Sequence, residues 1–119
     1  MGKENLIHDK SFAFSIRVVN LYKFLIENKG EYVMSKQLLR SGTSIGANIS
    51  ESIAAESTAD FIHKLAVAQK ESDESLYWLK LLYKTDYLSE VEYESVFQDC
   101  MELKKMLVSI ILSLRNKRK

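Results

Sequence analysis

The chain has 119 residues, of which 46% are hydrophobic and 28% charged, with four glycines and no proline. This length suits one domain with its own hydrophobic core, and the absence of proline favours long helices over a turn-rich sandwich or barrel. The formal net charge of +1 leaves the class of partner open, because nucleic-acid binding depends on where the positive charge lies. We therefore expect a single all-α domain over residues 1–119.

The first predicted helix runs from about Ser11 to Asn28, and Gly30 follows it as a helix stop. Its apolar residues fall into two adjacent stripes, which are Phe14, Val18, Leu21 and Leu25 in one and Phe12, Ile16, Val19 and Ile26 in the other. Two stripes make a face wider than one bundle core requires. We therefore expect part of this face to be left for a neighbouring molecule.

The second predicted helix starts near Ser35 and ends near Glu56, and it contains two glycines four residues apart, Gly42 and Gly46. Each glycine inside a helix costs about 1 kcal/mol relative to alanine, so the pair needs a structural reason. Glycines one turn apart leave a flat patch where a second helix can approach closely. The pattern therefore predicts a tight helix–helix crossing.

The same segment does not fit a nucleotide-binding loop. A phosphate-binding loop places a lysine and then a serine or threonine directly after its last glycine, whereas Ala47 and Asn48 follow Gly46 here. A dinucleotide fingerprint needs a third glycine, which is missing. We therefore assign the glycines to packing.

A polar line runs along the second helix beside the glycines and consists of Arg40, Ser44, Asn48 and Glu51. One interpretation is an ordinary solvent-exposed face. The other is a buried polar seam, in which Asn48 and Glu51 form hydrogen bonds to a neighbouring helix or subunit. The adjacent close-packing glycines favour a role in helix packing or in an interface.

The third predicted helix begins after Ser57, with Asp60 placed as in a capping box, and ends around Thr85 or Asp86. Its apolar line consists of Phe61, Leu65, Ala68, Leu76, Leu79 and Leu82, with Ser72 and Ser75 as interruptions.

The fourth predicted helix opens with the letters SEVE, in which Ser89 caps the helix while Glu92 reaches back to it. Its apolar line consists of Tyr93, Phe97, Cys100, Leu103, Leu107, Ile110 and Leu114. Short connections between four long helices make neighbouring helices antiparallel. The pattern predicts an all-α, antiparallel up-down-up-down four-helix bundle.

No set of residues in the chain suggests catalysis or a bound cofactor. A di-iron bundle requires E-x-x-H pairs on two helices, and neither His8 nor His63 is preceded by glutamate at that spacing. Without histidine, the pair Glu71 and Glu74 is typical of a solvated face. Cys100, the only cysteine, lies on an apolar line as a buried thiol, and such cysteine usage is typical of the reducing cytoplasm. We therefore expect a non-enzymatic cytoplasmic protein with no metal and no cofactor.

Positive charge is concentrated at the end of the chain. Candidate residues for binding nucleic-acid phosphates are Arg115, Lys117, Arg118 and Lys119 in the tail, with Lys104 and Lys105 upstream. The tail equally suits a solvated helix end, because cations are favourable near a helix C-terminus. The aromatic residues Tyr77, Trp78 and Tyr83 suit stacking on bases, but their helical spacing favours the core or an interface.

A recurring pattern of single residues runs through residues 37–82 and consists of Gln37, Leu38, Arg40, Ser44, Ile45, Asn48, Ile49, Glu51, Ser57, Phe61, Leu65, Ala68, Ser72 and Glu74. This pattern resembles the signature of a family of small bacterial four-helix-bundle proteins. The family is named for reading frames found in intervening sequences of large-subunit ribosomal RNA genes.

The resemblance implies a ring-like homopentamer of up-down bundles. A related accessory protein of diversity-generating retroelements has a similar fold and binds nucleic acid and a reverse transcriptase through a basic surface. We therefore expect a non-enzymatic, oligomeric helical bundle that binds structured nucleic acid, RNA or DNA, or a ribonucleoprotein. The alternative is a structural adaptor that docks another protein without nucleic acid. Binding that weakens steeply as salt rises favours the first of these functions.

Overall fold

Four α-helices make up almost all of the chain. The computed structural model describes residues 3–117, and the side chains of residues 6–117. Within this range α1 spans Lys3–Lys29, α2 Met34–Ser52, α3 Thr58–Lys84 and α4 Glu90–Lys117, and there is no strand. The fold measures 48 × 23 × 22 Å along its principal axes, as expected for long helices lying side by side. The prediction of an all-α four-helix bundle is confirmed.

The first helix starts well before the predicted position. α1 begins at Lys3 rather than near Ser11. The reason is Ile7, which is only 1% exposed and extends the buried stripe by two turns ahead of Phe14. Leu6 and Ile7 stand in an otherwise polar stretch, MGKENLIHDK, which conceals this apolar anchor in the sequence.

The second helix ends earlier than predicted. α2 stops at Ser52 rather than near Glu56, because the chain tightens into bonds that span three residues, such as the one from Ile53 N to Ser50 O (3.3 Å). Ile53 follows the buried Ile49 by four residues but lies beyond this helix end and outside the core. Its side chain is 64% exposed.

The starts of α3 and α4 follow the predicted capping signals. Ser57 Oγ accepts a hydrogen bond from Asp60 N (3.0 Å), and the Asp60 carboxylate accepts one from Glu56 N (3.3 Å). At α4 the box is reciprocal, since Ser89 Oγ accepts from Glu92 N (3.2 Å) and the Glu92 carboxylate accepts from Ser89 N (2.9 Å). These bonds satisfy N–H groups that have no partner inside the helix.

The connection between α1 and α2 combines a glycine stop with a buried carboxylate. Gly30 adopts φ +63° and ends α1, as predicted. Glu31, only 7% exposed, accepts hydrogen bonds from the backbone N–H groups of Val33 (2.9 Å), Met34 (3.1 Å) and Ser35 (2.6 Å). Burial acts to raise the pKa of Glu31, but these three donors outweigh it and hold the pKa below its ordinary value. Glu31 therefore caps α2.

Two serines lie on the buried face of α3 instead of interrupting it. Ser72 and Ser75 are each 0% exposed. Ser72 Oγ donates to the Gln69 carbonyl (2.6 Å), and the Ser75 hydroxyl lies 2.9 Å from both the Glu71 carbonyl oxygen and Ser41 Oγ of α2. Because each hydroxyl has a carbonyl partner on its own helix, it is buried without an unsatisfied polar atom. These small side chains bring α2 and α3 close together.

Neighbouring helices run in opposite directions. Val18 of α1 faces Gly42 of α2, whereas the earlier Ser11 faces the later Gly46. The same reversed order relates α2 to α3 and α3 to α4, in the pairs Arg40–Glu74, Glu51–Lys64, Asp73–Lys104 and Tyr83–Tyr93. These contacts are those of an antiparallel up-down bundle.

α1 and α4 close the bundle through the sparsest of the four helix–helix contacts. Two ion pairs bridge them, Lys10–Glu102 and Arg17–Asp99, the latter at 2.7 Å. Arg17 also donates to Ser95 Oγ (2.5 Å). All of these side chains are partly or largely exposed. Exposed polar contacts therefore bridge the outside of the α1–α4 seam.

Candidate nucleic-acid interface

The two glycines of α2 lie at its crossing with α1. A Cβ atom at Gly42 would lie 2.8 and 2.9 Å from the two γ carbons of Val18, and one at Gly46 would lie 3.1 Å from Ser15 Oγ and 3.3 Å from Ser11 O. Carbon atoms in contact normally stay about 3.5–4.0 Å apart. The close approach of α1 therefore depends on the missing side chain at Gly42, which is the tightest point of the predicted crossing.

The polar line of α2 divides into two kinds of side chain. Ser44 Oγ donates to the Arg40 carbonyl (2.6 Å) and Asn48 Nδ2 donates to the Ser44 carbonyl (2.8 Å), so both bond to their own helix. Arg40 and Glu51 reach α3 instead, where Glu51 pairs with Lys64 at 3.1 Å. Within the bundle Asn48 thus makes no hydrogen bond to another helix, and the bond of Glu51 lies at the surface.

Arg40 is the centre of an ion-pair network between α2 and α3. Its Nη1 lies 3.3 Å from Glu71 Oε2, its Nη2 pairs with Glu74, and Glu74 also accepts a hydrogen bond from Trp78 Nε1 (3.0 Å). The bonds from Trp78 and Arg40 hold the pKa of Glu74 below its ordinary value, and the bond to Glu74 raises the pKa of Arg40. The Glu71 side chain is only 18% exposed. The expectation of a solvated acidic face is therefore wrong at this position.

The C-terminal cations lie on the last turn of α4. Arg115 and Lys117 are exposed, and neither forms an ion pair with any carboxylate in the part of the chain that the structure describes. Arg118 and Lys119, the other two predicted tail residues, lie outside the described residues. The described tail cations are thus available to an external anion.

The two upstream candidates differ from each other. Lys104 pairs with Asp73 of α3 at 2.7 Å, which neutralises most of its charge. Lys105 is exposed and lies at the rim of a groove of about 460 Å³ between α1 and α4, beside Leu6 and Met106. Of the two, Lys105 is therefore the one without an ion-pair partner among the described residues.

The three aromatic residues of α3 have separate environments. Tyr83 stacks on Tyr93 of α4, with ring centroids 4.4 Å apart and planes 7° apart. Trp78 is half-buried and packs against the core, as its helical position predicts. Tyr77 is 59% exposed, and its ring meets the Trp78 ring edge to face with 5.1 Å between the ring centroids. Of the three, Tyr77 is the one that offers a ring to solvent.

Other reactive groups do not assemble into a site. Cys100 is fully buried, and burial raises its pKa to about 12, so the thiol stays protonated at neutral pH. Among the described residues, no cluster of three or more His, Cys, Asp or Glu side chains is placed to hold a metal ion. None of the four helices, over the part described, contains a stretch apolar and long enough to cross a membrane.

The fold and the polar line of α2 together define a small helical-bundle protein in which α2 packs closely against α1 and α3. The chain belongs to the family of 23S rRNA-intervening sequence proteins, which it matches over residues 3–109. This confirms the resemblance seen in the sequence.

One solved structure is closely similar. It is the crystal structure of a protein with unknown function from the S23 ribosomal protein family of Bacteroides thetaiotaomicron. The two chains are 55% identical, with a TM-score of 0.91 over 92% of this chain and 98% of that one. A search of curated proteins finds no match.

Proposed function

We propose that this protein is a non-enzymatic, oligomeric helical bundle that binds structured nucleic acid in the cytoplasm, alone or within a ribonucleoprotein. The observation that carries the proposal is the end of α4. Ile111 is the last buried residue of this helix, yet the helix continues to Lys117 and carries Arg115 and Lys117 exposed. Residues two apart do not share a helix face, so Arg115 and Lys117 extend the positive charge around the end of α4. A projecting cationic helix end can approach the phosphates of a folded nucleic acid.

The names of the relatives connect them with ribosomal RNA, although the family is named for the location of its reading frames. The family name refers to intervening sequences of 23S rRNA, and the similar crystal structure is described as a member of a ribosomal protein family. The resemblance noted in the sequence to a retroelement accessory protein also points to nucleic acid.

The oligomer is supported by the outer face of α1. Phe12 and Ile16 lie one turn apart and are 63% and 51% exposed. Phe12 lines a groove of about 480 Å³ between α1 and α2, together with Thr43 and Ala47. A second copy of this chain would bury these side chains, and the pentamer implied by the family resemblance provides such a neighbour.

The assembly is tested by sedimentation velocity of the wild type and of the double variant Phe12→Ser/Ile16→Ser. We expect the wild type to sediment as a pentamer and the double variant to dissociate. Val91→Ser is a matched control, because Val91 is 80% exposed on another helix. An unchanged sedimentation coefficient for the double variant would show that this face is not the interface.

Nucleic-acid binding is tested with a labelled RNA hairpin over a salt series, using the full chain and a variant that ends at residue 114. We expect the full chain to bind at low salt and to release the hairpin as salt rises. Removal of the tail cations should lower the slope of log K against log salt by roughly 0.9 for each phosphate that the tail neutralises. Equal affinity and slope for both proteins would remove the tail from the interface.

The adaptor function has its own supporting observation, which is the apolar lining of the α1–α4 groove by Leu6, Met106 and Ile110. An apolar contact with another protein responds weakly to salt. An assembly that ignores RNA at every salt concentration and retains a protein partner at high salt would favour the adaptor.

A further inference from the structure

A line of one histidine, two lysines and one tyrosine runs along the outer face of α3. Seven residues fall about 20° short of two full helical turns, so residues repeating at this interval lie on one face. His63, Lys70, Tyr77 and Lys84 repeat at this interval, and all four are exposed. The line is about 32 Å long at 1.5 Å per residue. Lys80, also exposed, lies beside it one turn before Lys84.

The carboxylates of α3 do not neutralise these lysines. Every carboxylate of the helix has another partner. Asp60 accepts a hydrogen bond from Glu56 N, Glu71 and Glu74 pair with Arg40, and Asp73 pairs with Lys104. Among the described residues, no carboxylate forms an ion pair with Lys70, Lys80 or Lys84. The acidic side chains of α3 thus bond to other residues, and Lys70, Lys80 and Lys84 form no ion pair with them.

Lys80 and Lys84 also repel each other. They lie four residues apart on one helix face, a spacing at which like charges destabilise a helix. The residues three and four positions from Lys80 are Leu76 and Tyr77 before it and Tyr83 and Lys84 after it. None of them is acidic, so no helix neighbour of Lys80 relieves the repulsion. Lys84 Nζ lies 5.4 Å from the centroid of the Tyr83 ring, and neither lysine is buried or ion-paired among the described residues. An anionic ligand on this face would remove the repulsion.

Tyr77 is held in place from the side of the bundle. Its ring meets the Trp78 ring at 5.1 Å with an angle of 77° between planes. Trp78 Nε1 donates to Glu74 (3.0 Å), and Glu74 pairs with Arg40 of α2. This chain of contacts orders the tyrosine while leaving 59% of it exposed. On the helix surface Tyr77 has Lys80 on one side and, on the other, Asp73 and Glu74, which pair with Lys104 and Arg40. An exposed aromatic ring beside a lysine is a surface on which unpaired bases stack.

We propose that the outer face of α3 binds a single-stranded segment of nucleic acid, with Lys70, Lys80 and Lys84 on the phosphates and Tyr77 stacked on an unpaired base. The inference rests on the proposed function and assigns it a surface distinct from the α4 tail. A single strand fits better than a duplex, because bases within a duplex have no free face for the tyrosine.

The experiment uses a labelled oligouridine of about 12 nucleotides, with anisotropy and protein fluorescence recorded together over a salt series. Trp78 is the only tryptophan, and it contacts Tyr77, so base stacking should change its emission. We expect Lys80→Gln/Lys84→Gln to lower the salt slope by about 1.4, at roughly 0.7 per phosphate on a single strand. Lys23→Gln/Lys36→Gln removes the same charge from exposed positions outside α3 and should leave the salt slope unchanged.

Tyr77 is tested separately from the charges. Tyr77→Ala should weaken oligouridine binding about 5- to 100-fold with an unchanged salt slope, whereas Tyr77→Phe keeps the ring and should bind like the wild type. Oligouridine binding that leaves Trp78 emission unchanged, or equal losses in the Lys80/Lys84 and Lys23/Lys36 variants, would refute this surface. If either of these results is obtained while the wild type still binds the RNA hairpin, the proposed function stands without the α3 surface. A wild type that binds neither probe at low salt refutes both.

Discussion

Replacement of Gly42 by alanine tests the close crossing of α1 and α2. In an open helix this change stabilises by about 1 kcal/mol. Here the new Cβ would lie 2.8 and 2.9 Å from the γ carbons of Val18. Val18 is fully buried and β-branched, so it cannot rotate away. Overpacking of this kind costs about 1–3 kcal/mol, and we therefore expect Gly42→Ala to lower the free energy of unfolding by up to about 2 kcal/mol.

Gly46→Ala is the matched control. Its Cβ would meet Ser15 Oγ at 3.1 Å and Ser11 O at 3.3 Å, a milder contact. The gain in helix propensity offsets most of that contact, so the free energy of unfolding should stay within about 1 kcal/mol of the wild type.

A double-mutant cycle separates the clash from other effects. Val18→Ala alone should cost roughly 2 kcal/mol through reduced apolar burial. In that background Gly42→Ala meets no γ carbon, so the double variant should be about 2 kcal/mol more stable than the sum of the single effects. The assay is urea unfolding followed by circular dichroism at one protein concentration, since oligomers unfold in a concentration-dependent way. Additive effects, or a Gly42→Ala variant more stable than the wild type, would refute the reasoning.

Three further predictions concern single side chains. Glu31→Gln should lower the free energy of unfolding by about 1–2 kcal/mol at neutral pH. Because folding lowers the pKa of Glu31, the stabilisation from its carboxylate is present above the unfolded pKa and disappears as pH falls through the folded pKa. The free energies of the two proteins, measured by urea unfolding, should therefore converge in acid. Cys100 should resist a chromogenic disulfide reagent until urea unfolds the protein, since its pKa is raised to about 12, and full reaction of the native protein would contradict this. Arg40→Gln should cost about 1 kcal/mol or less, and high salt should shrink that difference; a difference that salt leaves unchanged would show that Arg40 acts through packing rather than charge.

Local signals in the sequence predicted most of the architecture. The capping pairs at Ser57 and Ser89 and the stop at Gly30 involve residues at most a few positions apart, so their geometry follows from short-range chemistry. The cap at Glu31 was missed because the familiar cap residues are short and lie directly before the helix. A glutamate reaches the same N–H groups from further back, and its role depends on burial that only the fold shows. Ser72 was interpreted as an interruption because a serine hydroxyl looks polar until its carbonyl partner is known.

The candidate interface was predictable only in part. The tail cations stand out by their number, and the structure leaves Arg115 and Lys117 exposed. Lys104 has the same side chain as Lys117, but Asp73 of another helix neutralises it. A count of basic residues cannot separate these cases, because ion pairing depends on which helix faces lie together. The same reason hid the outer face of α3, whose lysines become distinctive only once the carboxylates around them are seen to be engaged elsewhere.

The order of the helices around the bundle has a consequence for folding kinetics. Three of the four helix–helix interfaces join elements that follow each other in the chain, and only the α1–α4 seam joins its two ends. Local contacts form quickly because they require little loop-closure entropy, so the three sequential pairs can assemble before the seam closes. The seam is the sparsest of the four interfaces, and the ion pairs that bridge it, Lys10–Glu102 and Arg17–Asp99, are exposed pairs of small worth. The last interface to form is thus also the sparsest, and native-state opening should begin by separation of α1 from α4.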